Sequence, residues 1–287
     1  MKKIKIIFSI FTIASIFSCC DVIDFPVVEK GFYRDDLYGP PPTFGVADSS
    51  IQRVLLEDFT GHDCGNCPSG HLVAAGILSA NPERVAVVAI HAGTLSEPHP
   101  PEFPGDWRTP EGIFYLLTQV GVDEMPKGRI NRVPSAATVF SYSQWVAKVN
   151  ESLLVTSPLN LQMQASYHAT EQQINVHVNS QWFQNVTGNY RLVILITESH
   201  IVAPQLWYGH TPQFVEDYEH EEMLRGSVSG ATGLTVADNP ATGDIRTDSY
   251  TFDWNPNWLP ENCEIVAFVT EGENGRVVNV VKQKLVP

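Results

Sequence analysis

The pattern of apolar and polar residues changes near position 157. Before that point, apolar runs such as Val54–Phe59 and Arg84–His91 are typical of buried strands. The stretch Ser141–Leu153 places Trp145, Val149 and Leu153 four residues apart, which predicts an amphipathic helix. Further elements of this half are predicted as helices at 71–78 and 112–120 and as a strand at 127–133. This order predicts an α/β domain at residues 51–156.

From Ser157 onward, apolar residues alternate with polar ones. The stretch 159–167 has an apolar residue at every odd position, which marks a strand with one face on a core and the other in water. Further strands are predicted at 174–178, 190–197, 250–254, 264–270 and 276–285. We therefore expect an all-β antiparallel sandwich at residues 157–287, joined to the first domain through Leu153–Pro158.

A long segment, Val202–Thr247, separates these predicted strands. It contains Glu216–Glu222, where five of seven residues are acidic. Because carboxylates suit hard cations, a metal site is the alternative to a simple solvated loop here. We favour the solvated loop and predict no metal site and no cofactor for the chain.

The N-terminus has the features of a bacterial lipoprotein signal. Three lysines (Lys2, Lys3 and Lys5) precede the apolar run Ile6–Phe17, which is shorter than the roughly 20 residues that a membrane-spanning helix needs. The run ends in Ile-Phe-Ser-Cys-Cys, which resembles a lipobox. We expect a signal peptide at 1–18, lipid attachment at Cys19 (with Cys20 or a plain secretory signal as alternatives), and a tether at 19–50, where Gly39–Pro42 breaks regular structure.

Composition narrows the class of function. The chain has 287 residues and a formal net charge of −14, with no basic stripe to neutralise phosphates. Nucleic acid is therefore excluded as a partner. The length suits two domains, and export implies an envelope compartment in which disulfides form.

The candidate chemistry is a Cys-X-X-Cys pair, Cys64 and Cys67. It follows the first predicted strand and precedes a helix with Pro68 in its first turn. A helix N-terminus favours a thiolate, so Cys64 is expected to be the exposed nucleophile and Cys67 the resolving thiol. The alternatives are a structural disulfide, inert thiols, or a metal carrier that also uses His71. The remaining Cys263 is expected to be a buried apolar residue rather than one end of a long-range bridge.

The order strand, Cys-X-X-Cys, helix, strand, helix, X-Pro, strand, helix resembles the thioredoxin fold. The resemblance implies that the Met125–Pro126 bond is cis and faces the cysteine pair. It also implies that Asp58, six residues before Cys64, is a buried carboxylate that exchanges a proton with Cys67; the alternative is a solvated strand end. Asp63 replaces the aromatic residue usual before the first cysteine, and a proline-rich surface loop at 96–110 enlarges one side of the site.

The motifs Leu56–Gly61, Cys64–Pro68, Met125–Arg132 and His220–Gly226 together resemble the outer membrane protein 28 related lipoproteins. The resemblance implies a periplasmic or surface lipoprotein anchored to the outer membrane by its N-terminal lipid. Two alternative functions remain open. The first is thiol–disulfide exchange with envelope proteins through Cys64, Cys67, Pro126 and Asp58. The second is non-enzymatic binding or adhesion to a surface ligand, with a structural disulfide.

Overall fold

The computed structural model describes residues 32–121 and 124–286. Its α-helices are α1 (Asp35–Tyr38), α2 (Cys67–Ala80), α3 (Pro110–Phe114) and α4 (Tyr142–Leu153). Its strands are β1 (Val54–Thr60), β2 (Val85–His91), β3 (Lys127–Ile130), β4 (Leu159–His168), β5 (Gln173–Trp182), β6 (Asn189–Glu198), β7 (Ile201–Leu206), β8 (Phe214–His220), β9 (Met223–Ser227), β10 (Leu234–Asp238), β11 (Ile245–Asp253), β12 (Cys263–Glu271) and β13 (Val277–Lys284). A π-helical turn, Tyr115–Val120, continues α3.

The central sheet contains strands from both predicted halves. Its eight strands run in the order β13-β12-β6-β9-β2-β1-β3, with β10 also paired to β6. β1 and β2 are parallel, β3 is antiparallel to β1, and β2 meets β9 at the single pair Ala89–Met223. β11, β5 and β4 form a separate antiparallel sheet. The predicted order, an α/β sheet with parallel strands followed by antiparallel sheets, is confirmed.

β1 and β2 are buried along their whole length, as their unbroken apolar runs predict. Successive side chains point to opposite faces of the sheet. Val54 and Leu56 pack with α2 and with Trp145 of α4 on one face. Leu55 and Phe59 pack on the other face with Tyr115 and with Phe268 of β12. The two halves of the chain therefore share a hydrophobic core as well as a sheet.

A third hydrophobic core lies between the three-stranded sheet and the central sheet. It joins Leu161 of β4 and Ile174 of β5 to Ile194 of β6 and Ile265 of β12. The period-two pattern at 159–167 therefore gives a strand, as predicted. Cys263 is free and buried near this core, which confirms the apolar role expected for it.

The segment 202–247 is richer in strands than its sequence suggested. It contains most of β7 and all of β8, β9 and β10. β7 contains Pro204 at an irregularity between Ala203 and Gln205, where a missing backbone N–H is tolerated. Charged residues interrupt the apolar alternation of β8. The sequence of neither strand therefore shows the alternation that predicts a β-strand. β7 and β8 pair with each other and join neither of the other sheets.

Residues 32–50, part of the predicted tether, lie along the outer face of the three-stranded sheet. The Tyr33 ring contacts His177 at a centroid distance of 4.8 Å, and the Tyr38 hydroxyl donates to Gln173 Oε1 at 2.7 Å. The backbone of Ala47 pairs with the Gln181 side chain through both its N–H and its carbonyl. The predicted signal peptide and both candidate anchor cysteines fall outside the described residues.

Two glycines offer a matched test of packing around α2 and α4. A Cβ at Gly128 would overlap the buried Trp145 indole, whereas a Cβ at Gly76 of α2 would meet no atom within 4 Å. Gly128→Ala should therefore cost about 1–3 kcal/mol through overpacking. Gly76→Ala should add roughly 0.5–1 kcal/mol, because alanine favours the helix. Urea unfolding measures both changes, and equal effects of the two substitutions would contradict this packing.

Candidate functional site

The Cys64–Cys67 pair forms a disulfide at the start of α2. The two Cα atoms are 5.3 Å apart, and Cys67 donates its backbone N–H to the Cys64 carbonyl at 3.0 Å. Pro68 stands in the first helical turn, where no N–H partner is needed. Both cysteines are buried, with Cys64 4% and Cys67 0% exposed. The expectation that Cys64 is exposed is therefore wrong for this state of the protein.

The β7–β8 hairpin, residues 201–220, covers the disulfide loop; we call it the arm. Leu206 donates its backbone N–H to the His62 carbonyl at 2.8 Å, and Tyr208 donates to the Gly65 carbonyl at 2.7 Å. The buried Gln205 amide donates to the Cys64 carbonyl at 3.1 Å. These contacts join residues some 140 positions apart, and no sequence motif predicts them.

Tyr208 explains why glycine follows directly after Cys64. A Cβ on Gly65 would lie 2.5 Å from the Tyr208 ring, so this close approach requires glycine. The arm thus places an aromatic ring on the Cys-X-X-Cys loop, in a chain that has Asp63 directly before Cys64.

The proline-rich loop contributes to the other side of the site. Phe103 is buried, stacks on His62 at 4.8 Å between ring centroids and meets Phe214 of the arm at 5.4 Å. The loop predicted to lie on the surface is therefore partly buried, because its Phe103 side chain packs between His62 and the arm. Burial lowers the pKa of His62, so this ring is neutral near pH 7 and adds no positive charge that would favour a thiolate. His99 Nε2 lies 3.5 Å from Asp63 Oδ2.

Asp58 is buried beneath the arm, near the end of β1. Its exposure is 1%, so the alternative of a solvated strand end is wrong. Its Oδ1 has no hydrogen-bond partner among the described residues, and burial raises the pKa of Asp58 to about 8. Its Oδ2 lies 3.9 Å from His71 Nε2. Asp58 therefore carries a proton at neutral pH.

His71 links α2 to both β1 and the arm. Its Nε2 is 2.8 Å from Thr60 Oγ1, and its Nδ1 is 2.7 Å from the Tyr218 hydroxyl of β8. Burial lowers the pKa of His71 to about 3, so the ring is neutral. With both ring nitrogens engaged and both sulfurs in a disulfide, this arrangement offers no free ligands for the alternative metal site of Cys64, Cys67 and His71.

Pro126 lies on another side of α2. The Met125–Pro126 bond is cis, as the thioredoxin resemblance implies. A Cβ on Gly70 would lie 3.1 Å from the Pro126 ring, so the proline packs directly against α2 one turn after Cys67. The structure thus places Asp58, Pro126 and both cysteines around the first two turns of one helix.

The motif residues nearest the site form a buried ion cluster. Glu57 accepts hydrogen bonds from Arg129 at 2.6 and 2.7 Å and from Arg132 at 2.8 and 3.1 Å, and all three side chains are inaccessible to solvent. Burial alone would raise the pKa of Glu57, but the two guanidiniums outweigh it and lower the pKa to about 2. The cluster ties β1 to β3 and the turn after it, so its role is structural.

The acidic segment Glu216–Glu222 forms the outer strand of the arm and its base. There His200, Glu219 and Glu221 bring three ligand-type atoms within 4.8 Å of one another. His200 already pairs with Glu219 at 2.6 Å and with Glu221 at 3.2 Å, and the hydrogen bond to Glu219 raises the pKa of His200. These three residues form two ion pairs that share His200, at the foot of the arm.

A family model for outer membrane protein Omp28 matches residues 115–287. The chain belongs to the Omp28 family. The match includes the Met125–Arg132 and His220–Gly226 motifs, and it begins after the Cys-X-X-Cys loop. Omp28 membership confirms the predicted outer-membrane location. Within the described residues, no helix has the length and apolar character needed to cross a membrane.

Two of the solved structures that are similar to this Omp28-family chain come from Porphyromonas gingivalis. HBP35 matches with a TM-score of 0.64 at 16% identity, over 83% of this chain and 76% of that chain. A domain of the outer membrane lipoprotein Omp28 matches with a TM-score of 0.32 at 22% identity, over 46% of this chain and 90% of that chain. At these identities the likeness to HBP35 speaks to the fold alone. The comparison with curated proteins found no match.

Proposed function

We propose that this Omp28-family lipoprotein carries out thiol–disulfide exchange with envelope proteins through Cys64 and Cys67, on a thioredoxin-like framework. The observation that carries the proposal is the disulfide at the N-terminus of α2, between the buried Asp58 and the cis-bonded Pro126. The β1–α2–β2 order, with β3 antiparallel to β1, supports the framework.

Exchange in the reducing direction begins with the Cys64 thiolate. It attacks a partner disulfide, so that a Cys64–partner bond forms and the partner's other sulfur leaves as a thiolate and takes up a proton. Cys67 then loses its proton and attacks the Cys64 sulfur, which releases the second partner thiol and restores the Cys64–Cys67 bond. Two electrons pass from the pair to the partner, and the oxidising direction is the reverse.

Asp58 suits the proton step at Cys67. Its pKa of about 8 lies close to the roughly 8.5 of an ordinary thiol, so a proton passes in either direction with little driving force against it. Pro126, packed against the start of α2, shapes the groove that a partner segment enters. The N-terminal lipid, on Cys19 or Cys20, holds the site at the membrane.

A second function is favoured by one observation, the burial of both cysteines. In that case the pair is a structural bridge, and the protein binds a surface ligand without catalysis.

The reduction potential of the pair separates the two functions. Equilibration of the full-length chain with glutathione buffers should give a value between about −270 and −120 mV, the range of dithiol catalysts. Cys67→Ser should then accumulate mixed disulfides with envelope proteins, whereas Cys64→Ser should not. The double variant measures background from Cys19, Cys20 and Cys263. A potential below about −300 mV would reject exchange in favour of the structural bridge.

A further inference from the structure

Two short connections join the base of the arm to the central sheet. β6 before it and β9 after it are central strands of the eight-stranded sheet, whereas β7 and β8 pair only with each other. His200 and Glu222, the residues that flank the arm, both have left-handed backbone conformations, with φ of 59° and 48°. The arm is thus a separate hairpin that leaves a rigid sheet through two tight turns.

The tip of the arm lies on the disulfide loop as an extended segment. Leu206 and Tyr208, two residues apart, donate their backbone N–H groups to carbonyls of the loop at His62 and Gly65. Gln205 adds side-chain donation to the Cys64 carbonyl and to Gly61 O at 3.3 Å. This alternate bonding is the way in which an extended peptide pairs with a backbone edge. The arm therefore occupies a face of the loop that holds Cys64.

The underside of the arm meets α2 and β2 mostly through polar groups. Tyr218 bonds to His71, and the His220 ring lies 5.4 Å from the His91 ring. A cavity of about 210 Å³ separates the arm from α2 and reaches Asp58, whose Oδ1 has no hydrogen-bond partner among the described residues. The three hydrophobic cores of the described chain contain no residue of the arm. Segments with few buried apolar contacts open at a lower free-energy cost than the core does.

We propose that the arm is a lid on the Cys64–Cys67 site, which undocks from the loop at residues 61–65 before another sulfur can reach Cys64. Attack on a disulfide needs direct access to a sulfur atom, and the closed arm leaves Cys64 almost none. The consequence for partner proteins depends on the proposed exchange function. The lid itself does not depend on that function, because it is inferred from the contacts of the arm, chiefly those of Gln205, Leu206 and Tyr208 with the loop.

The test is the rate at which a phosphine reduces the disulfide in the full-length chain. The phosphine attacks one sulfur, the S–S bond breaks, and water converts the phosphonium to phosphine oxide with release of two thiols, which a maleimide then traps. Tyr208→Ala removes the ring from Gly65 and should accelerate reduction by about tenfold, the scale of one lost aromatic contact. Gln205→Ala/Tyr208→Ala should be faster still. Val202→Ala, 64% exposed on the same arm and remote from the loop, is the control and should match the wild type.

Equal rates in the wild type and both tip variants would overturn the lid. A lid changes the rates of reduction and reoxidation together and leaves the reduction potential unchanged. If Tyr208→Ala changes the equilibrium constant for disulfide reduction by the same factor as the reduction rate, the lid is also overturned. The arm would then stabilise the disulfide itself. If Tyr208→Ala accelerates reduction but Cys67→Ser traps no partner, the exchange function fails and the lid stands. If trapping succeeds without acceleration, the lid alone fails.

Discussion

Glu57→Gln is expected to destabilise the protein by about 3–5 kcal/mol, the usual cost of removing one partner from a buried ion pair. The substitution keeps the shape of the side chain but leaves the guanidiniums of Arg129 and Arg132 with no counter-charge. All three side chains are 0% exposed, so water cannot replace the lost carboxylate. The faces of Tyr115 and Phe268 lie 4.9 and 5.2 Å from Arg132, and they supply only a weak substitute.

Urea unfolding at neutral pH measures this effect as a lower midpoint. Glu102→Gln, an exposed carboxylate in the proline-rich loop, is the control and should leave the midpoint unchanged. Because the pKa of Glu57 is lowered, its contribution is present above about pH 4.5 and is lost as pH falls toward about 2. The Glu57→Gln protein should therefore lack this part of the acid sensitivity. A midpoint equal to that of the wild type would show that Glu57 does not form the buried ion pairs with Arg129 and Arg132.

The cluster also shows what the sequence could and could not predict. Glu57, Arg129 and Arg132 all lie within the motifs that carry the family resemblance, so their importance is visible from the sequence. Their contact depends on the antiparallel register of β1 and β3, which places Glu57 opposite Arg129. No local pattern fixes that register, because charged residues inside apolar strands carry no signal about their partners.

The position of the disulfide loop in the fold, in contrast, was predictable from the sequence. The strand before Cys64, the helix after Cys67 and the position of Pro68 depend on neighbours within a few residues. The position of the arm over the loop depends instead on Tyr208 and Gln205, which lie far along the chain. Pro204 and the acidic residues of β8 interrupt the alternation by which its strands could have been predicted. Sequence patterns therefore located the cysteine pair and missed the arm that covers it.

Asp58→Asn should stabilise the folded protein and slow disulfide exchange at the same time. The native state holds the Asp58 proton up to about pH 8, whereas the unfolded chain loses it near pH 4. Between these values the native state binds more protons, so the contribution of Asp58 to stability falls by about 1.4 kcal/mol per pH unit. Asparagine has no such loss, so the advantage of the variant should grow from about pH 4 and level off above about pH 8.

The difference between the two proteins isolates Asp58 from the neighbouring histidines. The pKa values of His71 and His220 are lowered to about 3 and 4. The unfolded chain therefore binds more protons at these rings below about pH 6.5, and the folded protein loses stability there in the wild type and the variant alike. Burial and neighbouring carboxylates raise the pKa of Glu222, which lines the same cavity as Asp58, to about 7 in both proteins. The difference between the urea midpoints of the two oxidised proteins at pH 6.5, 7.25 and 8 therefore reports Asp58. Glu111→Gln is the control, because burial also raises the pKa of this carboxyl in α3, away from the disulfide. It should gain stability without slower exchange. If Asp58→Asn is more stable and exchanges more slowly, the carboxyl acts in the proton step at Cys67. If Asp58→Asn is more stable and exchanges as fast as the wild type, Asp58 has no part in that step.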